Sequence, residues 1–206
     1  MESARMIEGL LREHGQTYAD EAGITLRDKP APLYQLLVLT VLCSIRIRAE
    51  TATAAARELF AAGLRTPQAM VESTWQQRVD ALGRAHYVRY DESTATALGD
   101  GARLVLDRFD GDLRKLRETA AGDTDELREL LQEVPRIGPV GADIFCREAQ
   151  EVWPELRPFF DERSLATAAD LGLPHTPTGL AHHVPPKDLA RLAAALVRVS
   201  LARVRR

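Results

Sequence analysis

The sequence predicts an all-α protein of two helical lobes with a cleft between them. Three observations carry that expectation. Ala, Leu, Arg and Glu dominate the 206 residues, and all four are good helix formers. Apolar positions recur at helical spacing along the chain, and no segment alternates apolar and polar residues as a strand does. Helix start and stop residues punctuate these stretches at regular intervals. With 45% apolar and 28% charged residues, the chain has enough apolar side chain to build a sizeable core.

Element by element, Met6 to His14 reads as a short amphipathic helix, and Gly15 to Pro32 as irregular chain with a turn at Asp28-Lys29-Pro30. Leu33 to Ile47 is a long apolar helix. Ala49 to Ala62 follows, closed by Gly63 as a C-cap. Thr66-Pro67 places a cap before a proline at the first helical position, which opens a new helix. Ser73-Thr74-Trp75 opens another that runs to Leu82. Tyr90 to Phe109 is long, Gly111 to Ala121 short and charged, and Asp123 or Thr124 caps a helix to Glu133. Val140 to Glu151, Ser164 to Asp170 and Pro186 to Val204 complete the set. The segment Gly172 to Pro186, with four prolines and two glycines, reads as the most mobile connection. Residues 33–153 are expected to form one lobe, and residues 1–32 with 154–206 the other.

Several function classes are disfavoured. The longest apolar run, Leu36 to Cys43, falls well short of the roughly 20 residues that span a bilayer. The polar start after Met1 reads as lacking a secretory leader. Cys43 and Cys146 stand alone, without the roughly four ligands that zinc or an iron–sulfur cluster requires, and read as buried thiols in a reducing cytoplasm. His182-His183 lacks acids or cysteines at ligand spacing, so no metal is expected there. The formal charge is −3, yet it is unevenly spread. Lys187, Arg191, Arg198, Arg203, Arg205 and Arg206 face a single acid, Asp188, in the last segment, whereas acids outnumber bases by seven to four between Gly111 and Glu133. A local basic face can bind phosphate, because acids beyond about 10 Å are screened.

The most informative stretch is Leu130-Leu131-Gln132-Glu133-Val134-Pro135-Arg136-Ile137-Gly138-Pro139-Val140-Gly141-Ala142-Asp143-Ile144. Two helices flank a hairpin of about five residues, a connection typical of paired helices. Gly138 allows φ > 0 and close approach. Pro139 and Val140 start the second helix, whose first N–H groups are unpaired and suit an anion such as a DNA phosphate. Such a contact positions the protein without reading sequence.

This stretch resembles the helix-hairpin-helix of the endonuclease III superfamily of DNA glycosylases, whose usual form is Leu-Pro-Gly-Val/Ile-Gly followed by two residues and a small-residue helix. Pro135, Ile137, Gly138 and Ala142 match, while Arg136 stands where the first glycine is usual. Leu42-Cys43-Ser44-Ile45-Arg46 is similar to the end of the family's central helix, and Gly83-Arg84-Ala85-His86-Tyr87-Val88-Arg89 to its Gly-Leu-Gly-Tyr-Tyr-Ala-Arg segment. Trp153-Pro154 and Phe159-Phe160-Asp161 resemble the strand-like approach to its catalytic aspartate.

The resemblance implies a double-stranded DNA partner and a site at the cleft floor. Bifunctional members attack the sugar with a lysine in the second helix's first turn. Val140 occupies that position, and the only lysines are Lys29, Lys115 and Lys187, so no lyase step is expected. The family's C-terminal cysteine cluster is missing, so no iron–sulfur centre is expected; a monovalent cation on the hairpin carbonyls is implied. Asp161 is the implied catalytic carboxylate, stabilising an oxocarbenium-like sugar or orienting water. It also reads as an N-cap, and the two roles are compatible. Glu162 is the fallback one residue later. The Ile137 to Cys146 segment also resembles the methyl-CpG-associated thymine glycosylase branch, which favours a pyrimidine substrate.

Further DNA contacts are expected from Arg136, Gly138, Val140 and Gly141 at the hairpin, from Ile45 as a wedge, and from Arg46 and Arg89. Arg46 and Arg48 read equally as solvated helix-end cations. Tyr87 is a base-pocket candidate or a core aromatic. The reading as a whole is a monomeric, monofunctional glycosylase in the cytoplasm at the nucleoid. Its alternatives are a catalytically silent DNA-structure binder of the same fold and a helical protein-interaction domain.

Overall fold

The computed structural model describes residues 2–204, so Arg205 and Arg206 of the basic C-terminal run lie outside the described residues. Among those residues there are helices and turns and no strand. The chain divides into two compact units, Met1–Tyr18 with Cys146–Arg206, and Ala19–Phe145.

The larger unit is built on α3 (Pro30–Cys43), which follows α1 (Glu2–His14) and the single turn α2 (Tyr18–Glu21). Leu33, Tyr34 and every residue from Leu36 to Leu42 are buried. A helix apolar on nearly all faces must be enclosed, and α3 packs against α4 (Ala49–Ala61), α7 (Asp91–Phe109) and α8 (Leu113–Ala120). On α4 the enclosed face is Ala52, Ala55, Ala56 and Leu59, small enough for close approach. Capping holds the register of the rest. Thr66 accepts the Ala69 N–H at the start of α5 (Pro67–Glu72), and Thr74 with Gln77 forms a reciprocal capping box on α6 (Trp75–Arg84). Asp123 accepts from Asp125 and Glu126 at the start of α9 (Thr124–Gln132).

One charged side chain lies inside this unit. Arg78 on α6 donates from Nε to the Ala95 carbonyl at 2.8 Å, and from Nη1 to the Met70 and Ser73 carbonyls at 3.1 and 2.9 Å and to Ser73 Oγ at 3.0 Å. It thereby ties α5, α6 and α7 together. A Cβ at Gly99 would sit 2.9 Å from Nη2, so glycine is what makes room for the guanidinium. Burial lowers the pKa of Arg78, though as a guanidinium it remains the donor to all four acceptors.

In the smaller unit α13 (Leu189–Val204) packs against α1 and α11 (Glu162–Asp170). Ile7, Leu10, Phe160, Leu173, Leu180, Leu192 and Leu196 anchor its core. Two arginines of α13 satisfy carbonyls left open beyond α1: Arg191 Nε donates to Gly15 O at 3.1 Å and Arg198 Nε to Gln16 O at 3.0 Å.

Five elements depart from the sequence expectation. α1 begins at Glu2 rather than Met6, and the stretch Gly15 to Pro32, expected to be irregular, contains α2. The apolar helix ends at Cys43 rather than Ile47, because Ser44 turns back on it: its N–H reaches the Thr40 and Val41 carbonyls and its Oγ donates to Thr40 O at 2.7 Å. The proline-rich connection contains α12 (Pro177–Ala181), capped by Thr176 on the Gly179 N–H. The final helix starts at Leu189, after a 3-10 turn at Pro186–Asp188.

Candidate active site

The hairpin joins α9 to α10 (Pro139–Ala149). Its turn is closed by Ile137 N–H donating to Val134 O at 3.0 Å, and α10 begins with Ala142 N–H donating to Gly138 O at 2.9 Å. Arg128 Nε reaches Asp143 Oδ1 at 2.7 Å and clamps the two helices side by side. The positive φ expected at Gly138 lies instead at Arg136, at φ 73. A side chain in the left-handed region costs roughly 1 kcal/mol relative to glycine. Arg136→Gly is therefore expected to raise the unfolding free energy by about 1 kcal/mol, read as a higher Tm.

Of the expected hairpin contacts, Arg136 is exposed, Gly138 is half-buried, and Val140 is 70% exposed at the first turn of α10. Gly141 is not a surface contact. It is buried, and a Cβ there would lie 2.4 Å from Ser44 Oγ, so this glycine lets α10 approach the end of α3. Ile45 and Arg46 lie in the turn after α3 rather than on the helix, with Ile45 half-buried and Arg46 exposed. The segment after α6 is tight: His86 has φ 57, Val88 is exposed, and exposed Arg89 stacks 5.3 Å from the Tyr90 ring centre. Tyr87 is 0% exposed. It is a core aromatic and forms no open pocket wall; burial pushes its phenol up, with the Thr94 hydroxyl opposing.

The carboxylate lies in the smaller unit. Asp161 N-caps α11, its Oδ1 accepting the Ser164 N–H at 2.8 Å. Its Oδ2 accepts from Arg147 Nη1 at 2.5 Å. The aspartate side chain is 10% exposed and the arginine 4%. Asp161 is thus the N-cap that the sequence offers and is paired with Arg147 as well: both oxygens are engaged and the side chain is nearly enclosed. Around Arg147 stand Glu148, with Oε1 3.9 Å from Nε, and the Tyr18 ring, 5.6 Å from the guanidinium carbon. Burial works against the charge, but Asp161, Glu148 and Tyr18 outweigh it and hold the guanidinium above its usual pKa. Glu162 is exposed, off this cluster.

The approach to Asp161 is held by a side chain rather than a strand. Buried Gln150 donates from Nε2 to Phe159 O at 2.8 Å and accepts the Phe159 N–H on Oε1 at 3.0 Å. Arg157 Nε returns to the Gln150 carbonyl at 2.6 Å. Residues 157–160 are therefore tied to the end of α10, just ahead of the cap. Arg147 and Gln150 escape a reading of motifs. The signal for them was the polar run Arg147-Glu148 and Gln150 set among the apolar Phe145, Cys146 and Ala149.

This all-α arrangement is the fold of endonuclease III and of helix-hairpin-helix DNA glycosylases. A trapped endonuclease III–DNA covalent intermediate aligns at TM-score 0.59 and 13% identity, over 95% of this chain and 81% of that one. A non-covalent endonuclease III–DNA complex aligns at TM-score 0.60 and 12% identity, over 94% and 80%. The H. pylori 3-methyladenine DNA glycosylase bound to 1,N6-ethenoadenine aligns at TM-score 0.59 and 15% identity, over 99% and 98%. No family model matches the chain, and no curated protein sequence does. No helix is long and apolar enough to cross a membrane among the described residues.

Proposed function

We propose that this chain is a monofunctional DNA glycosylase of base excision repair, hydrolysing the N-glycosidic bond of a damaged or mismatched base in duplex DNA, with pyrimidines favoured. The observation that carries the reading is Asp161: a carboxylate held rigidly at the N-cap of α11, with a narrow opening to solvent, on the fold of glycosylases that act on DNA. The hairpin supplies the other half. The start of α10, with exposed Arg136 and Val140, suits a backbone phosphate.

The chemistry asks little else. The bond from C1′ to the base breaks, its electron pair leaves with the base, and water adds to C1′ while its proton passes to solvent. A fixed anion lowers the barrier by stabilising positive charge on the sugar. With Val140 where the bifunctional enzymes carry lysine, no amine is placed to form a Schiff base. A monovalent cation on the hairpin would be held by the backbone carbonyls of its turn. It would steady the phosphate contact, and no step depends on it.

A panel of duplexes carrying uracil, thymine–guanine mismatches, oxidised pyrimidines and alkylated purines tests the reading. Base release is expected on at least one of them, with strand breaks only after alkali and no covalent adduct on borohydride treatment. A trapped adduct would contradict the hydrolytic assignment. A second reading, a catalytically silent DNA-structure binder, is favoured by the engagement of both Asp161 oxygens, and predicts tight duplex binding with no release on any substrate.

A further inference from the structure

A buried cation beside the proposed catalytic acid needs a physical reason. Enclosing a guanidinium costs several kcal/mol, and an apolar side chain of similar volume usually serves stability as well or better. Arg147 is nonetheless enclosed, at 4% exposure, and its Nη1 lies 2.5 Å from Asp161 Oδ2. The opposite oxygen is held by the Ser164 N–H. Two bonds from different directions leave the carboxylate plane no freedom, so its orientation is set before any ligand arrives. Prepaid orientation of this kind is worth large rate factors when a charge must face a reacting centre.

The objection is that a paired carboxylate has no field left to use. Glu148 answers it. It is 1% exposed, with Oε1 3.9 Å from Arg147 Nε, so the guanidinium faces a second carboxylate besides Asp161. The pairing therefore fixes Asp161 while the charge of Arg147 is shared between two carboxylates.

We propose that Arg147 is the positioning residue for Asp161, holding its carboxylate in a single orientation towards the sugar while Glu148 supplies the counter-charge. This rests on the glycosylase reading above. Single-turnover base release is measured for the native chain, R147K and R147Q on the panel's best substrate, together with duplex Kd and thermal melting. Lysine keeps the charge but lacks the planar fork that reaches the carboxylate oxygen from this position. The expected result is a rate lowered roughly 10- to 100-fold per folded molecule in both variants, with Kd changed less than about threefold. Addition of free guanidinium to folded R147A restores part of the rate. Rates within about twofold of native, a Kd change that accounts for the loss, or failure of every variant to fold would each overturn the positioning role. Absence of release by the native chain sinks the glycosylase reading itself, and is distinguished from these by the native control.

Discussion

Replacing Arg78 with methionine is expected to lower the unfolding free energy by about 3–5 kcal/mol. Methionine fills much of the same space, so packing alone is not at stake. What is lost are the guanidinium's four bonds, to the Ala95, Met70 and Ser73 carbonyls and to Ser73 Oγ, although Met70 O keeps the Ser73 hydroxyl at 2.6 Å. A buried acceptor stripped of its donor costs about 1–3 kcal/mol, and no other side chain is placed to replace four bonds at once. Against a total stability of about 5–15 kcal/mol this is a large fraction. Urea denaturation checks it: the midpoint falls while the slope stays constant. A loss under about 1 kcal/mol would mean that the carbonyls find water instead.

The second large effect concerns Asp161, and the choice of substitution separates its two structural roles. Asp161→Asn keeps the cap on Ser164, since Asn caps as well as Asp, but leaves Arg147 facing a neutral group. Breaking a buried ion pair from one side costs about 3–5 kcal/mol, and Glu148 near the guanidinium keeps the expected figure at the low end, about 3 kcal/mol. Asp161→Ala also removes the cap, for about 1 kcal/mol more. The same denaturation experiment reads both. An unpaired catalytic acid behaves oppositely, since its removal commonly leaves stability unchanged or raised. Stabilisation by either variant would therefore contradict the Arg147 pairing.

What could be read in advance follows from how local each signal is. Thr66-Pro67, Thr74 with Gln77, and Asp123 announce their helices because a cap is decided within four residues. The hairpin was legible for the same reason. Asp161 was legible as both cap and candidate acid. The end of α3 was not, because apolar character continues through Ile45 and Ile47 while the stop comes from Ser44 bonding back to Thr40. Propensity offers Gly138 for a left-handed bend, whereas the chain puts Arg136 there. The same Thr-Pro signal at Thr176-Pro177 was hidden by the surrounding prolines and glycines. Least legible were the long-range pairs. Nothing local says that Arg147 meets Asp161 fourteen residues on, that Gln150 pairs with the Phe159 backbone, or that Gly99 vacates space for Arg78. Those contacts depend on which helix faces meet, and they are the ones that shape the site.

The proposed function rests on one carboxylate, Asp161. Its most direct test is single-turnover base release from the substrate panel by the native chain and by Asp161→Asn, normalised to folded protein, with duplex affinity measured in parallel. Release by the native chain is expected, with a loss of at least about a thousandfold in the variant and unchanged duplex binding. Release by the variant at the native rate would contradict the proposed function.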